Sequence, residues 1–459
     1  MGEYFLCEHA LVRTEKTFLP KGKRVGAAVA DAGSGEYFHS RRIPFTTNQT
    51  LSKDTNMFKK SLIAVAALTA FAGSAMAADI TISGRIDTGL NFHDEEISGA
   101  NNPAYDVDQN TFQMKAGQYS GSRVTIKGSE ELGNGMKAGF ILENGFTSDD
   151  GKMGQSNRLF GREAIVYLEG DFGHFSMGRV GSLSSGLGSY NVVYGYTPFG
   201  TGWGDYASNN GEFMLGDRDR MDNTITYRSP EFAGFQVFAQ YSLQADGTED
   251  DQSTKNKRYA GLGASYNLGA FSTGLVVDTV MNKSTDNNKE DSLGVSWGAS
   301  YDLGVTKPMI LVQYGKNENT LGGFNLADTY KAYGFATDAA PLGANEGLTG
   351  YAIAIGAVTP LFGGNLYTAV NYTDGELESA ADIMVGDALF GTHEGDIQRW
   401  GIAVGYDYPL SKRTKLYGFA AYNEGEYKGT SYWANGVKAN DHSVDETDIE
   451  AGVGLIHYF

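Results

Sequence analysis

The chain ends in DIEAGVGLIHYF (residues 448–459), where apolar side chains alternate with polar or small ones. Ile449, Ala451, Val453 and Leu455 take the odd positions, whereas acidic residues and glycines take most of the even ones. Neighbouring side chains of a β-strand point to opposite faces of its sheet. The stretch therefore predicts a strand with one apolar face and one polar face.

The same period of two recurs from residue 80 onward. In the first such segment Ile80 and Ile82 share one face, while Arg85 and Asp87 share the other. Along the whole chain, the alternation predicts sixteen strands. We expect them near residues 80–92, 122–132, 136–146, 159–169, 173–179, 223–229, 235–244, 259–267, 270–279, 292–303, 306–315, 348–358, 364–373, 398–409, 414–424 and 448–459.

Short and long connections alternate between these predicted strands. Seven connections are short, and eight are long. The long ones lie near residues 94–121, 147–158, 180–222, 245–258, 280–291, 316–347, 374–397 and 425–447. Sixteen antiparallel strands need this arrangement when both ends of the chain lie on the side of the short turns.

The apolar faces decide what surrounds the sheet. No window of about 18 apolar residues follows residue 78, which excludes helical membrane spans. A soluble β-sandwich or propeller would cover the apolar faces with a second sheet, and this alternative remains open. A membrane-spanning sheet must instead close on itself, because hydrocarbon does not tolerate unpaired backbone edges. Trp400 on one side and Tyr406 and Tyr408 on the other bracket Ile402 and Val404, as aromatic girdles do. We therefore predict an all-β fold, a 16-stranded antiparallel transmembrane β-barrel.

The composition excludes several classes of function. The 459 residues include 36 Lys and Arg against 55 Asp and Glu, a net charge of −19, which excludes a general nucleic-acid binder. A single cysteine, Cys7, excludes a disulfide scaffold and a cysteine-ligated metal site. No phosphate-binding glycine loop, metal-ligand spacing or catalytic triad pattern stands out, so we expect no metal and no cofactor.

The first 77 residues are expected to lie outside the fold. A basic start at 57–60, an apolar run over 62–72 and a small-residue site at 75–77 together have the form of a secretory signal peptide. The segment before it shows no sustained period; an over-extended gene start, an unusually long leader and an artificial extension all remain open. The predicted organisation is an extension at 1–56, a signal peptide at 57–77 and a barrel domain at 78–459.

Several motifs resemble those of the trimeric general porins of beta-proteobacteria. The resemblance rests on ISGRIDTGL (82–90), GSR (121–123), KGSEELGNGMKAGF (127–140), LFGR (159–162), GDFG (170–173), GR (178–179), NTITY (223–227) and SPEFAGF (229–235). The final GVGLIHYF (452–459) is similar to the last strand of outer-membrane barrels, which ends in Phe. The resemblance extends over the predicted barrel domain and is densest before residue 245.

The resemblance implies a sixteen-stranded, water-filled homotrimer with short periplasmic turns, long extracellular loops and a third loop, 180–222, that folds into the lumen. It also implies passive diffusion of ions and small hydrophilic solutes across the outer membrane of a Gram-negative bacterium, without enzymatic activity. The expected partners are further copies of the chain, outer-membrane lipids and lipopolysaccharide, the permeating solutes, and the barrel-assembly machinery, which would recognise Phe459.

A diffusion pore needs a width limit and an electric field that sorts solutes by charge. By motif position, the resemblance puts constriction arginines at Arg123, Arg162 and Arg220 on the wall, and Lys127 shares the face of Arg123. Along a regular strand Arg162 would lie on the same face as the apolar residues, so a bulge or an irregular strand start is needed to point it inward. Positions at the rim or facing lipopolysaccharide are the alternative for these residues.

The third loop carries the acidic candidates for the constriction. Either these acids oppose the arginines, or they are ordinary solvated loop charges, and the sequence leaves both interpretations open. The acidic candidates are Asp205, Glu212, Asp217 and Asp219.

Two other functions remain open from the sequence. A substrate-specific channel for a sugar or an organic acid would need an aromatic slide in the lumen. Its candidates in the third loop are Tyr190, Tyr194, Tyr196 and Trp203. An outer-membrane enzyme would need paired catalytic side chains near the outer rim. The isolated candidates for such a pair are His93, His393, His442, Glu143 and Glu169.

Cleavage after Ala77 is an expected outcome that can be measured directly. Because signal peptidase removes the leader during export, the protein purified from outer membranes should have the mass of a chain that starts at Ala78. Intact-mass spectrometry checks this expectation. A purified chain that starts well before Ala78 would exclude cleavage at this site.

Overall fold

The computed structural model shows an all-β architecture. It describes residues 79–99, 106–207, 215, 218–283, 290–325, 347–377, 381–385, 388–433 and 436–459. None of the helices in these ranges is long and apolar enough to cross a membrane.

Sixteen of the described strands form one continuous wall. They are β1 (Asp79–Ser98), β2 (Arg123–Gly133), β3 (Met136–Gly145), β4 (Glu163–Gly170), β5 (Gly173–Gly181), β6 (Arg220–Arg228), β7 (Phe235–Ser242), β8 (Arg258–Leu268), β9 (Phe271–Met281), β10 (Ser292–Tyr301), β11 (Lys307–Glu318), β12 (Leu348–Leu361), β13 (Gly364–Leu377), β14 (Ala388–Pro409), β15 (Thr414–Trp433) and β16 (Lys438–Tyr458).

The wall closes on itself. Each strand pairs antiparallel with the next one along the chain. Strand β16 then returns to β1, where residues 445–458 pair with residues 85–98. At the periplasmic end of this seam, Gly84 and Phe459 exchange backbone hydrogen bonds of 3.0 and 3.1 Å. The result is the predicted 16-stranded antiparallel barrel, which has no free sheet edge within its wall.

The barrel buries charged side chains on its inner face and exposes apolar ones on its outer face, which is the reverse of a soluble protein. Asp87 and Asp448 are fully buried on the inner face, and Glu450 is almost fully buried there. Large apolar side chains are instead exposed on the outer face, as the alternation predicted. Among them are Ile82, Leu90, Val166, Met177, Leu262, Leu275, Ile355, Val370, Ile402, Val404, Val453 and Leu455. This distribution suits a barrel that is surrounded by acyl chains.

Aromatic side chains border the apolar belt. On the outer side, Trp400 of β14 packs against Tyr422 of β15, with ring centroids 5.4 Å apart. On the side of the short turns, the hydroxyl of Tyr406 donates to the Leu361 carbonyl at 2.9 Å. Tyr408 lies beyond it on the same face and is also exposed. These rings take the positions of two interfacial girdles.

Several predicted boundaries were wrong, and β1 runs to Ser98 instead of ending near residue 92. Strand β4 begins at Glu163, not near residue 159. The long links predicted at 374–397 and 425–447 are largely strand, because β14, β15 and β16 continue well past the apolar belt. Beyond the belt the outer face of these strands no longer meets acyl chains and needs no apolar residues, so the alternation fades although the backbone pairing continues, while the inner face still buries Ile397, Tyr427 and Val444.

The described structure has further short elements besides the sixteen wall strands, and two of them extend the same sheet. The strand Val107–Ala116 pairs with the outer half of β1, and the strand Ala381–Val385 pairs with the outer end of β14. The remaining short elements are a hairpin of Thr320–Leu321 with Phe324–Asn325 and single helical turns at Gly154–Asn157, Tyr194–Tyr196 and Ser253–Lys255.

A charge on the lipid-facing wall should be costly. We expect Val404→Arg, in the middle of the apolar belt, to reduce the free energy of unfolding by about 2–4 kcal/mol. Gln398→Arg is the matched control, because Gln398 is an exposed residue of the same face beyond Trp400; its effect should stay within about 0.5 kcal/mol. Urea unfolding of protein folded into lipid vesicles measures both. Equal tolerance of the two substitutions would mean that water, not lipid, surrounds this face.

Candidate functional site

The third loop joins β5 to β6 (residues 182–219), and its described part, residues 182–207, 215, 218 and 219, packs inside the barrel. Several of its apolar side chains form one buried cluster with inward-facing residues of wall strands. The cluster contains Leu183, Tyr190, Val192, Val193 and Tyr194 of the loop, together with Ile165, Val180, Phe238, Val276, Leu311 and Ala354 of the wall. The loop therefore narrows the lumen.

The hydrophobic effect holds this loop against the wall, because the lumen is aqueous. Burying a large apolar side chain contributes about 1.5–3 kcal/mol. A hydrogen bond also fixes the position of the loop on the wall, since the hydroxyl of Tyr190 donates to Ser176 Oγ of β5 at 2.6 Å. Near the start of the loop, Ser189 Oγ donates to Glu163 Oε1, also at 2.6 Å.

Two glycines of the wall make room for the loop. A Cβ atom at Gly298 of β10 would lie 2.5 Å from the ring of Tyr196. A Cβ atom at Gly356 of β12 would lie 2.5 Å from the ring of Pro198. The loop can approach the wall this closely only where the wall has no side chain.

The four aromatic candidates of the third loop do not line the water path. Tyr190, Tyr194, Tyr196 and Trp203 are all buried. Trp203 packs against Tyr119 and Tyr367, with centroid distances of 4.5 and 4.7 Å. The aromatic slide that a substrate-specific channel would need is therefore not formed by these four residues.

Arg123 lies at the start of β2 and points into the lumen. Its Nε donates to the Gly121 carbonyl at 2.9 Å and its Nη2 donates to Ser120 Oγ at 3.2 Å. Its Nη1 lies 3.3 Å from Glu143 Oε1. The guanidinium group is thus fixed by three acceptors.

Arg162 reaches the same carboxylate, its Nε donating to Glu143 Oε1 at 2.8 Å. In a regular strand, alternation would place Arg162 on the outer, apolar face. Since β4 begins only at Glu163, Arg162 precedes the strand, and the alternation of the strand does not set the direction of its side chain. The irregular strand start that the sequence required is present.

Two further arginines belong to this cluster. Arg220 starts β6, and its Nη1 lies 3.5 Å from Asp219 Oδ1. Arg85 of β1, which sequence reasoning missed, donates from Nη1 to Ser120 Oγ at 2.9 Å. The charges of Arg85 and Arg220 both act on Arg123. The parity of β1 was the signal for Arg85, because it lies on the polar face beside Asp87.

Lys127 lies on the inner face of β2, four residues beyond Arg123 toward the short turn. Its side chain is exposed. It therefore lies between the arginine cluster and the periplasmic opening of the lumen.

Glu143 was wrongly interpreted as an acid without a partner. It pairs with Arg123 and Arg162, and its Oε2 accepts a hydrogen bond from Thr125 Oγ1 at 2.7 Å. In the sheet register Glu143 faces Thr125 directly. Counting back from the tight turn between β2 and β3 would have missed this pairing by one residue, because the register shifts between Glu131 and Gly133.

Two of the four acidic candidates of the third loop, Asp205 and Asp219, lie within the described residues. Asp205 pairs with Lys115 of the first loop, the segment that joins β1 to β2, with Oδ2 and Nζ 2.5 Å apart. Asp219 is exposed and adjacent to Arg220. Glu212 and Asp217 lie outside the described residues. Neither described acid reaches Arg123 or Arg162, whose ion pairs are made by Glu143.

The histidine candidates have structural partners where they are described. His93 faces the lumen with Nε2 3.3 Å from Asp448 Oδ1, and Arg399 Nη2 lies 2.8 Å from Asp448 Oδ2. The Nδ1 atom of His174 lies 3.0 Å from Glu169. The side chains of His393 and His442 lie outside the described set. The described residues contain no group of three or more His, Cys, Asp or Glu that could hold a metal ion.

Comparison with known proteins identifies the family of this barrel. A family model described as Gram-negative porin matches residues 64–428. An outer membrane porin protein of Bordetella pertussis is 31% identical over 389 residues, which cover 79% of this chain and 94% of that protein. Outer membrane porin protein 32 of Delftia acidovorans is 29% identical over 413 residues, covering 87% and 100%.

Solved structures have the same fold. An anion-selective porin from Comamonas acidovorans has a TM-score of 0.52 and 23% identity, covering 83% of this chain and 100% of that one. An outer membrane protein of Vibrio cholerae, solved in a trimer form, has a TM-score of 0.50 and 15% identity, covering 84% and 100%. With the closed barrel and its inward loop, these matches show that the chain belongs to the Gram-negative porin family and forms an outer-membrane channel for passive diffusion.

Proposed function

We propose that the narrowest part of this channel lies between the third loop and the arginine cluster of Arg85, Arg123, Arg162 and Arg220. Small hydrophilic solutes and ions would pass there, and the field of the cluster would favour anions over cations. The observation that carries the proposal is the sharing of one carboxylate, Glu143, by two guanidinium groups.

The charge balance supports an anion preference. Within the described residues, the ion pairs of the four arginines involve only two carboxylates, those of Glu143 and Asp219. Lys127 extends the positive potential toward the periplasmic opening. Asp205 is already paired with Lys115 and offers little opposing charge. A cluster with more fixed cations than anions attracts anions, and a narrow, low-dielectric passage strengthens this effect.

The comparisons support the same sign of selectivity. The Comamonas acidovorans protein of the same fold is anion-selective. We extend that property to this chain as a proposal, on the strength of its own arginine cluster.

We also infer the remaining partners and the processing of the chain. The trimer form of the Vibrio cholerae barrel supports a homotrimer. The exposed apolar belt supports contact with outer-membrane lipids, including lipopolysaccharide. Phe459 closes the seam with Gly84, which supports recognition of the finished last strand by the barrel-assembly machinery. Residues 57–77 remain a proposed signal peptide, and residues 1–56 a proposed extension.

We propose that the protein catalyses no reaction. The members of its family are channels, and the Asp448 that His93 faces in the lumen also pairs with Arg399. Protein that conducts ions in a bilayer but hydrolyses no peptide or ester substrate would support this proposal.

Neutralising two wall arginines should weaken the anion preference. A unit charge about 4 Å from a passing ion is worth about 1 kcal/mol in water. The double variant Arg123→Gln, Arg220→Gln should therefore lower the anion-to-cation permeability ratio roughly several-fold at low salt, where screening is weak. The reversal potential across a salt gradient in a planar bilayer measures this ratio. An unchanged reversal potential would remove both residues from the constriction.

Removing the opposing carboxylate should act in the other direction. Glu143→Gln leaves Arg123 and Arg162 without their shared counter-charge, so the reversal potential should move further toward anions. Glu424→Gln is the matched control, because Glu424 is exposed on the outer face of β15, and its reversal potential should equal that of the wild type. A shift of the Glu143→Gln channel toward cations would contradict the proposed field.

A further inference from the structure

We propose that Glu450 is a positioning residue that holds the middle of the third loop, residues 203–206, against the wall and thereby sets the width of the pore. This inference rests on the proposed function, since it concerns the same constriction. It adds a second element: the first loop and the last strand together clamp residues 203–206 of the third loop.

The carboxylate of Glu450 is buried and fully engaged. Its Oε2 accepts the backbone N–H groups of Asp205 and Tyr206, both at 2.9 Å. Its Oε1 accepts Asn91 Nδ2 at 2.7 Å and lies 3.4 Å from Lys115 Nζ. One side chain of the last strand thus binds two consecutive peptide groups of the third loop, while β1 and the first loop hold that side chain in place.

The first loop also contacts Trp203 and Gly204 of the third loop, through hydrogen bonds and ring packing. The carbonyl of Gln118 accepts the N–H groups of Trp203 and Gly204, the latter at 2.9 Å. The Tyr119 ring packs on Trp203, with centroids 4.5 Å apart. Asn91, which binds Glu450, also donates to Gln118 Oε1 at 3.0 Å. The first loop, the last strand and the third loop therefore meet at one junction.

The wall completes the clamp at Tyr206. Its ring stacks on His93 of β1 at a centroid distance of 4.7 Å. Its carbonyl accepts Asn423 Nδ2 of β15 at 3.3 Å. Residues 203–206 are thus fixed by β1, β15, β16 and the first loop.

Physical chemistry makes Glu450 the central member of this junction. Hydrogen bonds from peptide N–H groups to an ionised carboxylate are stronger than those between neutral groups. Removing a buried acceptor leaves its donors unsatisfied, and their desolvation cost favours a move toward water. Residues 203–206 would then move away from the wall, and the cross-section of the pore would change.

The test must separate geometry from charge, because removal of Glu450 also removes a negative charge from the lumen. At about 1 M KCl the Debye length is about 3 Å, so single-channel conductance there reports mainly the cross-section. Uncharged sugars of increasing size, tested by liposome swelling, give a width limit that does not depend on charge. Both readouts need only the purified, reconstituted protein.

We expect Glu450→Ala to change the high-salt conductance by a factor on the order of two and to shift the sugar size limit, since both follow the open cross-section. Glu450→Gln should shift both readouts less than Glu450→Ala, because its amide oxygen can still accept the N–H groups of Asp205 and Tyr206, although its NH2 group then faces Asn91 Nδ2 and Lys115 Nζ. Glu424→Ala, an exposed carboxylate removed from the outer face, should change neither readout. Wild-type values for Glu450→Ala would overturn the inference, as would equal effects of Glu450→Ala and Glu450→Gln.

A second variant covers the case in which Glu450→Ala does not fold. Gly202→Ala alters only the loops, because its Cβ would lie 2.1 Å from the Tyr119 carbonyl oxygen and push the first and third loops apart. We expect the same shift in high-salt conductance and sugar size limit. Wild-type values for this variant would overturn the inference. A wild-type protein that forms no channel would instead overturn the proposed function, and the inference with it.

Discussion

Hydrogen-bond closure of the sheet is the constraint on which the rest of this structure depends. Peptide groups in hydrocarbon find no water, so every wall strand must pair on both sides. The pairing of β16 with β1, completed by the exchange between Gly84 and Phe459, removes the last free edge. Once the sheet is closed, one face must meet lipid and the other must enclose water. The period of two along each strand follows from this division.

The same division explains how the lumen is narrowed. A sixteen-stranded barrel is too wide to be filled by its own wall side chains. The third loop fills part of the space with a small apolar core of its own, formed against inward-facing residues such as Val276 and Leu311. The remaining lumen is lined by charges. Arg123 and Arg162 converge on Glu143, and we propose that solutes meet the field of the arginine cluster there.

The sequence predicted the wall better than the contents of the lumen. Strands in the apolar belt follow from alternation alone, because each must present one lipid face. The extensions of β14 to β16 beyond the belt do not, since their outer face needs no apolar residues there. The hairpin of β2 and β3 could have been predicted from the turn at Asn134, whose φ is 51°, although the register shift between Glu131 and Gly133 separates the pairing of Glu143 with Thr125 from the one that simple counting gives. The clamp at Glu450 could not, since it joins residues of the last strand, the first loop and the third loop that no local pattern connects.

Single-channel recording of the purified wild-type protein in a planar lipid bilayer tests the closed, hydrated barrel most directly. Discrete, stable current steps are expected, with a reversal potential of anion-selective sign across a salt gradient. A bilayer that stays electrically silent, with protein that is freely soluble without detergent, would contradict a membrane-spanning channel.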